Sequence, residues 1–497
     1  MADTRIDQGG PTPAQHANTT GSAASMLFPL ALAQFIASYA GSNMNVAISS
    51  IASDLNTTVR GVQTTITLFT LTMAALMIPG SKLTDIWGRK FCFVAGLTVY
   101  GIGALLAAFA PVLGLMIVGY SLLEGIGSAL MIPPIYILIT VAFTDITSRA
   151  KWFGIVSAAA GLGAATGPLI GGLITSAISW RASFLLQVLV VAIIIVSSRR
   201  ITDPGVQGSR PRFDLAGAVL SALGLIFVVL GIQLSGTYGW FAAKVAFTVG
   251  STTIIPKGGI SPVWPFIAIG AVVLAWFFLH IRADERAGKE PLLSPRLFRN
   301  RVSNLGLVTQ NIQWLILQGS FFVISVFLQT VRGFNAIQTG LMLTPATIGV
   351  LLSSSLAERM AERRPQRILI IGGFALTILG MVLLLLLASA TSSAVTFIPG
   401  ILLMGLGVGV MLTSSVNVVQ SAFPEKEQGE ISGLSRSVSN LGSSLGTAFV
   451  GSLLVAQLLP DNQNFGLALI MMATFAGIGL VAALLLPRQQ PAPQHID

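Results

Sequence analysis

The chain of 497 residues has one cysteine, three histidines and only 9% charged residues, and each scarcity excludes something. With Cys92 alone, no disulfide can form within the chain. His16, His280 and His495 are too scattered to nominate a metal centre. No G-x-x-x-x-G-K-S/T phosphate loop is present, so ATP-driven chemistry within this chain is not expected. An integral-membrane enzyme would need His, Asp or Glu clustered at one face. None is legible, so neither catalysis, cofactor nor metal is expected. So low a charge content also cannot solvate the surface of a water-soluble domain.

What replaces charge is apolar sequence: 53% of residues are hydrophobic and the mean hydropathy is +0.82. About 20 apolar residues suffice for a helix to cross a hydrocarbon core of ~30 Å. Such stretches recur at 27 to 48, 61 to 79, 91 to 110, 112 to 140, 152 to 176, 183 to 198, 215 to 233, 264 to 281, 302 to 328, 337 to 356, 368 to 388, 394 to 420, 432 to 456 and 465 to 486. The chain is therefore expected to be an all-α membrane protein of about fourteen spans.

The net charge of +10 does not point to nucleic acid, because no basic domain exists. Instead, one set of alternate loops collects most of the cations, among them Lys82, Arg89, Lys90, Arg149, Lys151, Arg199, Arg200, Arg286, Arg359 and Arg367. The opposite set holds Arg60, Arg181, Lys244, Lys257 and Arg332. This bias predicts both termini on the cytoplasmic side of a plasma (inner) membrane. Residues 1–25 and 488–497 read as cytoplasmic tails, the first disordered. Residues 26–200 and 302–487 read as two six-helix bundles. The linker 201–301 adds two spans and an outside loop at about 234–263, where KVAFTV and TTIIPK predict a small hairpin. LTDIWGRK at 83–90 has a degenerate counterpart in LAERMAER at 356–363, as expected of two related halves with a binding site between them.

Two motifs carry more specific information. Ser81 to Lys90, SKLTDIWGRK, places Asp85, Gly88, Arg89 and Lys90 where two spans must reverse direction. It resembles the signature loop of the major facilitator superfamily, although the family's leading glycine is here Ser81, preceded by Gly80. A generic basic loop is the competing account. In the fifth stretch, Gly163, Gly167, Pro168, Gly171 and Gly172 lie in GLGAATGPLIGGLI, with glycines four apart on one helix face. The string is similar to the antiporter motif of the same superfamily. Ser179-Trp180-Arg181, Pro291-Leu292 with Leu297-Phe298-Arg299, Gly340 to Pro345 and LGSSLG extend the resemblance to the fourteen-span drug:proton antiporter family over about residues 27 to 486. That resemblance implies a conformational latch at Asp85, with contacts from Arg89 and a neighbouring helix end, and a small-molecule substrate exchanged for protons by a protein functional as a monomer in the lipid bilayer.

The chain departs from that family at two charges. Ala40 stands where the family carries an aspartate in the first span, and Ser121 where it usually carries an arginine in the fourth. Glu124 is a new acid, about 11 residues (~17 Å) from the outer end of its span. An ionised group at such depth costs at least about 2.5 kcal/mol without a partner or a wet cavity, which makes Glu124 the candidate proton carrier. A structural hydrogen bond and lipid exposure are the competing accounts. Helical spacing puts Tyr120, Ser121, Glu124 and Ser128 on one stripe. Together with Gln34, Ser38, Tyr39, Asn43 and Asn45 in the first span and Gln310, Asn311, Gln313, Trp314 and Gln318 in the ninth, it predicts an amide- and aromatic-lined substrate cavity. Helix-to-helix adhesion is the alternative for each amide. Such a pocket suits neutral or cationic amphipathic molecules and offers no obvious anion anchor. Glu430 and Arg436 form either a cytoplasmic gate pair or a surface ion pair. The expected function is alternating-access efflux, with a facilitator or symporter of a polar solute, or a non-transporting sensor, as alternatives.

Overall fold

The computed structural model describes residues 13–142, 146–201, 203, 212–249, 252–361, 364–389, 391–423, 427–456 and 463–487. Its helices, in chain order, are α1 (Pro13–Asn43), α2 (Ile48–Asp54), α3 (Val59–Trp87), α4 (Arg89–Ala108), α5 (Leu113–Met116), α6 (Gly125–Ala142), α7 (Ile146–Ala177), α8 (Trp180–Ser197), α9 (Leu215–Tyr238), α10 (Val263–Arg286), α11 (Arg301–Val326), α12 (Ala336–Ala361), α13 (Gln366–Leu387), α14 (Ile398–Gln420), α15 (Gln428–Ala456) and α16 (Gln463–Leu484). A π-helical segment, Ile117–Glu124, joins α5 to α6. Among the described residues, 12 helices are long and apolar enough to cross a membrane. Two further helices, α1 and α15, match them in length but carry polar stripes. α1 starts at Pro13, inside the segment expected to be a tail; residues 1–12 and 488–497 lie outside the described residues.

The polarity of the molecule is turned inside out relative to a soluble bundle. Val272, Trp276 and Leu279 on α10 and Leu386 on α13 are exposed, whereas Gln63, Thr65, Thr67, Gln187 and Gln313 are buried. Lipid accepts the first set; the second must find partners inside, because hydrocarbon offers no hydrogen bonds. One group of helices forms through the packing of α1 on α7, α3 on α6, and α4 on α6 and α8; a second through α11 on α15 and α16, and α14 on α12 and α13. The groups meet along two seams, α3 with α15 and α7 with α12. Polar side chains cross both. Gln63 donates to Thr447 O (3.2 Å), Ser444 to Thr67 O (3.1 Å) and Ser437 to Ala74 O (2.5 Å), while Thr347 donates to Ala165 O.

The extra pair, α9 and α10, packs together, with α9 lying against α3 and α15. Between them β1 (Phe247–Val249) and β2 (Thr252–Ile255) pair antiparallel, with Thr248 opposite Thr253, forming the hairpin that the two flanking runs predict. The counterpart of the signature loop closes α12, but its last two residues, 362 and 363, lie outside the described residues.

Candidate functional site

Between the two helix groups lies a cavity of about 820 Å³, the open solvent at its mouth included. The first group contributes Gln34, Ser38 and Ser42 from α1, Phe69, Thr70 and Met73 from α3, and Ile132 from α6. The second contributes Trp314, Gln318 and Phe321 from α11, and Arg436, Ser439, Asn440 and Ser443 from α15. The α15 residues recur at spacings of three and four, so one face of that helix supplies most of the polar wall.

Four predicted cavity residues, Gln34, Ser38, Trp314 and Gln318, do line it. The others are not among its lining. Tyr39 hydroxyl meets Ser183 Oγ at 2.5 Å, and Asn43 Nδ2 donates to the same oxygen at 2.9 Å, joining α1 to α8. Gln310 donates to Ser439 Oγ (2.8 Å) and accepts from Ser435 Oγ (2.9 Å), while Asn311 donates to Val438 O (2.8 Å); both clamp α11 to α15. Gln318 donates to Gly41 O at 2.6 Å, so it spans the groups as well as lining the cavity.

Glu124 is fully buried, yet it is not part of the cavity wall. Neither carboxylate oxygen has a partner of good hydrogen-bond geometry among the described residues, although the Tyr100 hydroxyl lies close enough to interact. Tyr100 and Tyr120, both buried, lie near enough to sense its charge. Tyr100 donates to Gln187 Oε1 at 2.5 Å, and Tyr120 donates to Ala40 O at 3.1 Å while stacking on Phe69 with ring centroids 4.6 Å apart. Ser121 donates to Thr65 O at 2.7 Å. At Ala40 the first span thus offers a backbone carbonyl to Tyr120, and the acid lies fully buried one helix away in the first group.

The signature turn is made by Gly88, whose φ of +97° ends α3 and starts α4 in a conformation open to glycine. Asp85 lies half-buried in the last turn of α3, with Lys82, Arg89 and Glu290 as its charged neighbours. Sequence reading missed Asp203. That carboxylate takes Arg89 at 3.7 Å and accepts from the Lys90 amide at 3.0 Å, while Lys90 Nζ donates to Ile201 O at 2.7 Å. Lys82 reaches Glu290 at 3.8 Å, tying the turn to the segment after α10.

The expected pairing of Glu430 with Arg436 gives way to separate partners. Glu430 accepts from the Ser294 amide at 3.1 Å, whereas Arg436 donates to Tyr136 hydroxyl and stacks over its ring at 5.2 Å. Six residues apart on one helix, the two side chains point to different neighbours.

The glycine string of α7 seats that helix between α1 and α12. A Cβ at Gly163 would meet Phe35 O, one at Gly167 would meet Ser42, and one at Gly171 would meet Asn43. Gly172 faces Ala336 O across the seam, and Gly340 of α12 faces Pro168 O in return. Away from the cavity, Ser179 caps α8 by accepting from the Arg181 amide. Arg181 pairs with Asp54 and lies 4.3 Å over the Trp180 ring. Its hydrogen bond holds the Asp54 carboxyl below the usual carboxylate value of 3.8.

His280 is also less isolated than its sequence position suggests. It lies 2.9 Å from Asp214 and 3.4 Å from Asp284. The three side chains could hold a metal ion, but Asp214 is already occupied as the cap of α9, accepting from the Gly217 (2.8 Å) and Leu292 (3.3 Å) amides. The cluster therefore acts as a polar clamp between α9 and α10.

A family model described as the Major Facilitator Superfamily matches residues 30–257, 249–447 and 315–496. The chain belongs to that superfamily. Among its relatives, the puromycin resistance protein pur8 of Streptomyces alboniger is 28% identical over 423 residues, covering 84% of this chain and 79% of that one. The multidrug resistance protein Stp of Mycobacterium tuberculosis is 26% identical over 415 residues, covering 84% and 73%. A crystal structure of the peptide transporter POT, a mutant in complex with sulfate, superposes with a TM-score of 0.63 at 16% identity, covering 93% of this chain and 95% of that one; it shows the shared fold. This major facilitator protein is accordingly a multi-pass membrane protein, and its cavity lies between two helix groups.

Proposed function

We propose that the chain is a fourteen-span secondary transporter of the plasma membrane, with both termini in the cytoplasm, that exports small amphipathic compounds by alternating access in exchange for protons. The observation that carries this reading is the cavity itself: eight helices, four from each group, contribute side chains to one space between the groups. Rocking the groups about the two seams would expose such a space to either side in turn. Relatives named for puromycin and multidrug resistance support efflux. The polar stripes of α1 and α15 support counting them as spans, because both helices turn those stripes inward. The cation bias of the alternate loops supports the orientation.

Proton exchange rests on Glu124, a buried carboxyl without a partner of good hydrogen-bond geometry among the described residues. Its separation from the cavity means that coupling runs through the first helix group rather than by direct contact with substrate. Asp85 and the turn at Gly88 serve as the latch, with Asp203 as its partner from the segment after α8.

The test is proton flux in proteoliposomes holding a pH-sensitive dye, with amphipathic compounds added outside. Wild type is expected to move protons on substrate addition, and Glu124→Gln to lose that response. Substrate movement without protons in both proteins would favour a facilitator. No movement in either would remove the transport reading and favour a sensor.

A further inference from the structure

Among the described residues that line the cavity, one is ionisable, and it is a cation: Arg436, with no Asp, Glu, Lys or His beside it in that lining. Glu124, the acid expected to mark the pocket, is not among them. From this we infer that the cavity recognises amphipathic molecules that carry a carboxylate or similar oxyanion, with Arg436 as the anchoring residue. The inference rests on the transporter reading and narrows its substrate class, from the neutral or cationic molecules that sequence alone suggests to acidic ones.

The surroundings of Arg436 favour this assignment. Its described contacts are a single donated hydrogen bond to Tyr136 hydroxyl and a stack on that ring. A guanidinium carries five N–H donors in a planar fork, so most remain for a ligand. No carboxylate lies within ion-pair distance of it among the described residues. A half-buried cation in a low-dielectric site with no counter-charge is set to gain from an incoming anion, and the fork matches two carboxylate oxygens.

The neighbouring wall completes the site. Ser439, Asn440 and Ser443 continue the Arg436 face of α15, and Gln34 across the cavity has a buried Oε1 without a partner. Facing them, Phe69, Met73, Leu317, Phe321 and Val350 supply apolar surface for a hydrophobic body. A quaternary ammonium in the same position would meet Arg436 with like charge and find no acid to offset it.

The experiment uses full-length protein and three probes with one hydrophobic body: dansylaminoundecanoate, its methyl ester and a trimethylammonium analogue. Equilibrium binding in detergent reads the site, and movement into proteoliposomes reads transport. Wild type is expected to bind the carboxylate about ten-fold more tightly than the ammonium. Arg436→Gln should abolish that preference while leaving ester binding within about two-fold, and Arg436→Lys, which keeps the charge, should retain part of it. Ammonium preference in wild type, or undiminished carboxylate preference in Arg436→Gln, would overturn the anion site. Transport of all three probes alike would keep the transporter reading and sink this one. Carboxylate-selective binding without movement would do the reverse, and no binding of any probe would overturn both.

Discussion

Two charged residues of this protein, Glu124 and Arg436, sit in opposite kinds of surroundings. Glu124 lies inside one helix group, fully buried, ringed by Tyr100 and Tyr120, and away from the cavity wall. Arg436 lies where the groups meet, half-buried, stacked on Tyr136 of the facing group and open to the cavity. A fully buried acid can exchange only something as small as a proton, whereas a base on a cavity wall can meet a whole molecule. On the proposed reading, the difference teaches that the driving ion and the cargo need not share a pocket. The two regions share α6, which begins directly after Glu124 and carries Ile132 of the cavity wall and Tyr136 against Arg436.

The hardest way to break this comparison is to force apart α1 and α7, whose contact carries Ser42 of the cavity wall. Gly167→Leu forces a side chain against Ser42 and Asn43, the latter already committed to Ser183. Overpacking of this kind costs about 1–3 kcal/mol, so the melting temperature in detergent should fall by several degrees and activity should be lost. Glu124→Gln should sharpen the contrast instead: substrate-evoked proton release drops at least about ten-fold, while carboxylate-probe binding stays within about two-fold. A parallel loss of binding would show that the two sites are one. Asp85→Asn should slow transport several-fold without loss of membrane insertion, because it loosens the latch but touches neither site; unchanged exchange rates would count against the latch.

The smallest effect is expected at Asp54. Its folded carboxyl titrates below the ordinary value of 3.8, because Arg181 stabilises the charged form. A depressed acid contributes stability above its unfolded value and loses it as pH falls through the folded one. The link from α2 to α8 should therefore hold at neutral pH and weaken only below about pH 4, read as hydrogen exchange at the Trp180 indole, which donates to Asp54 at 3.1 Å.

Much of the architecture was legible because its signals are long or rigid. Twelve of the fourteen apolar stretches matched helices long and apolar enough to cross a membrane, the glycine string sat against its neighbours as its spacing predicted, and KVAFTV with TTIIPK made a hairpin. The site was read less well, for a geometric reason. The stripe of Tyr120, Ser121, Glu124 and Ser128 assumes α-helical spacing, but Ile117–Glu124 is π-helical, which widens each turn and rotates the residues downstream of it. Glu124 consequently faces its own group. Arg436 was taken as a loop-end charge because it lies close to the start of α15, although Ser439, Asn440 and Ser443 already marked its face. Asp203 carried no signal of its own: a lone carboxylate after a span acquires meaning only when folding brings Arg89 and Lys90 beside it.

The polar character of α15 also bears on the order in which the protein can be built. Arg436 with its row of serines is costly to leave facing lipid, and α15 follows α1 to α14 in the chain. By then α3, α9 and α11, the helices it packs against, have already been made. α9 can wait for it safely, since Ser221 and Ser235 donate to their own helix carbonyls at 3.1 and 2.6 Å. The later helix therefore enters a prepared groove rather than open bilayer, and its insertion completes the polar wall of the cavity and the seam with α3 in a single step of biogenesis.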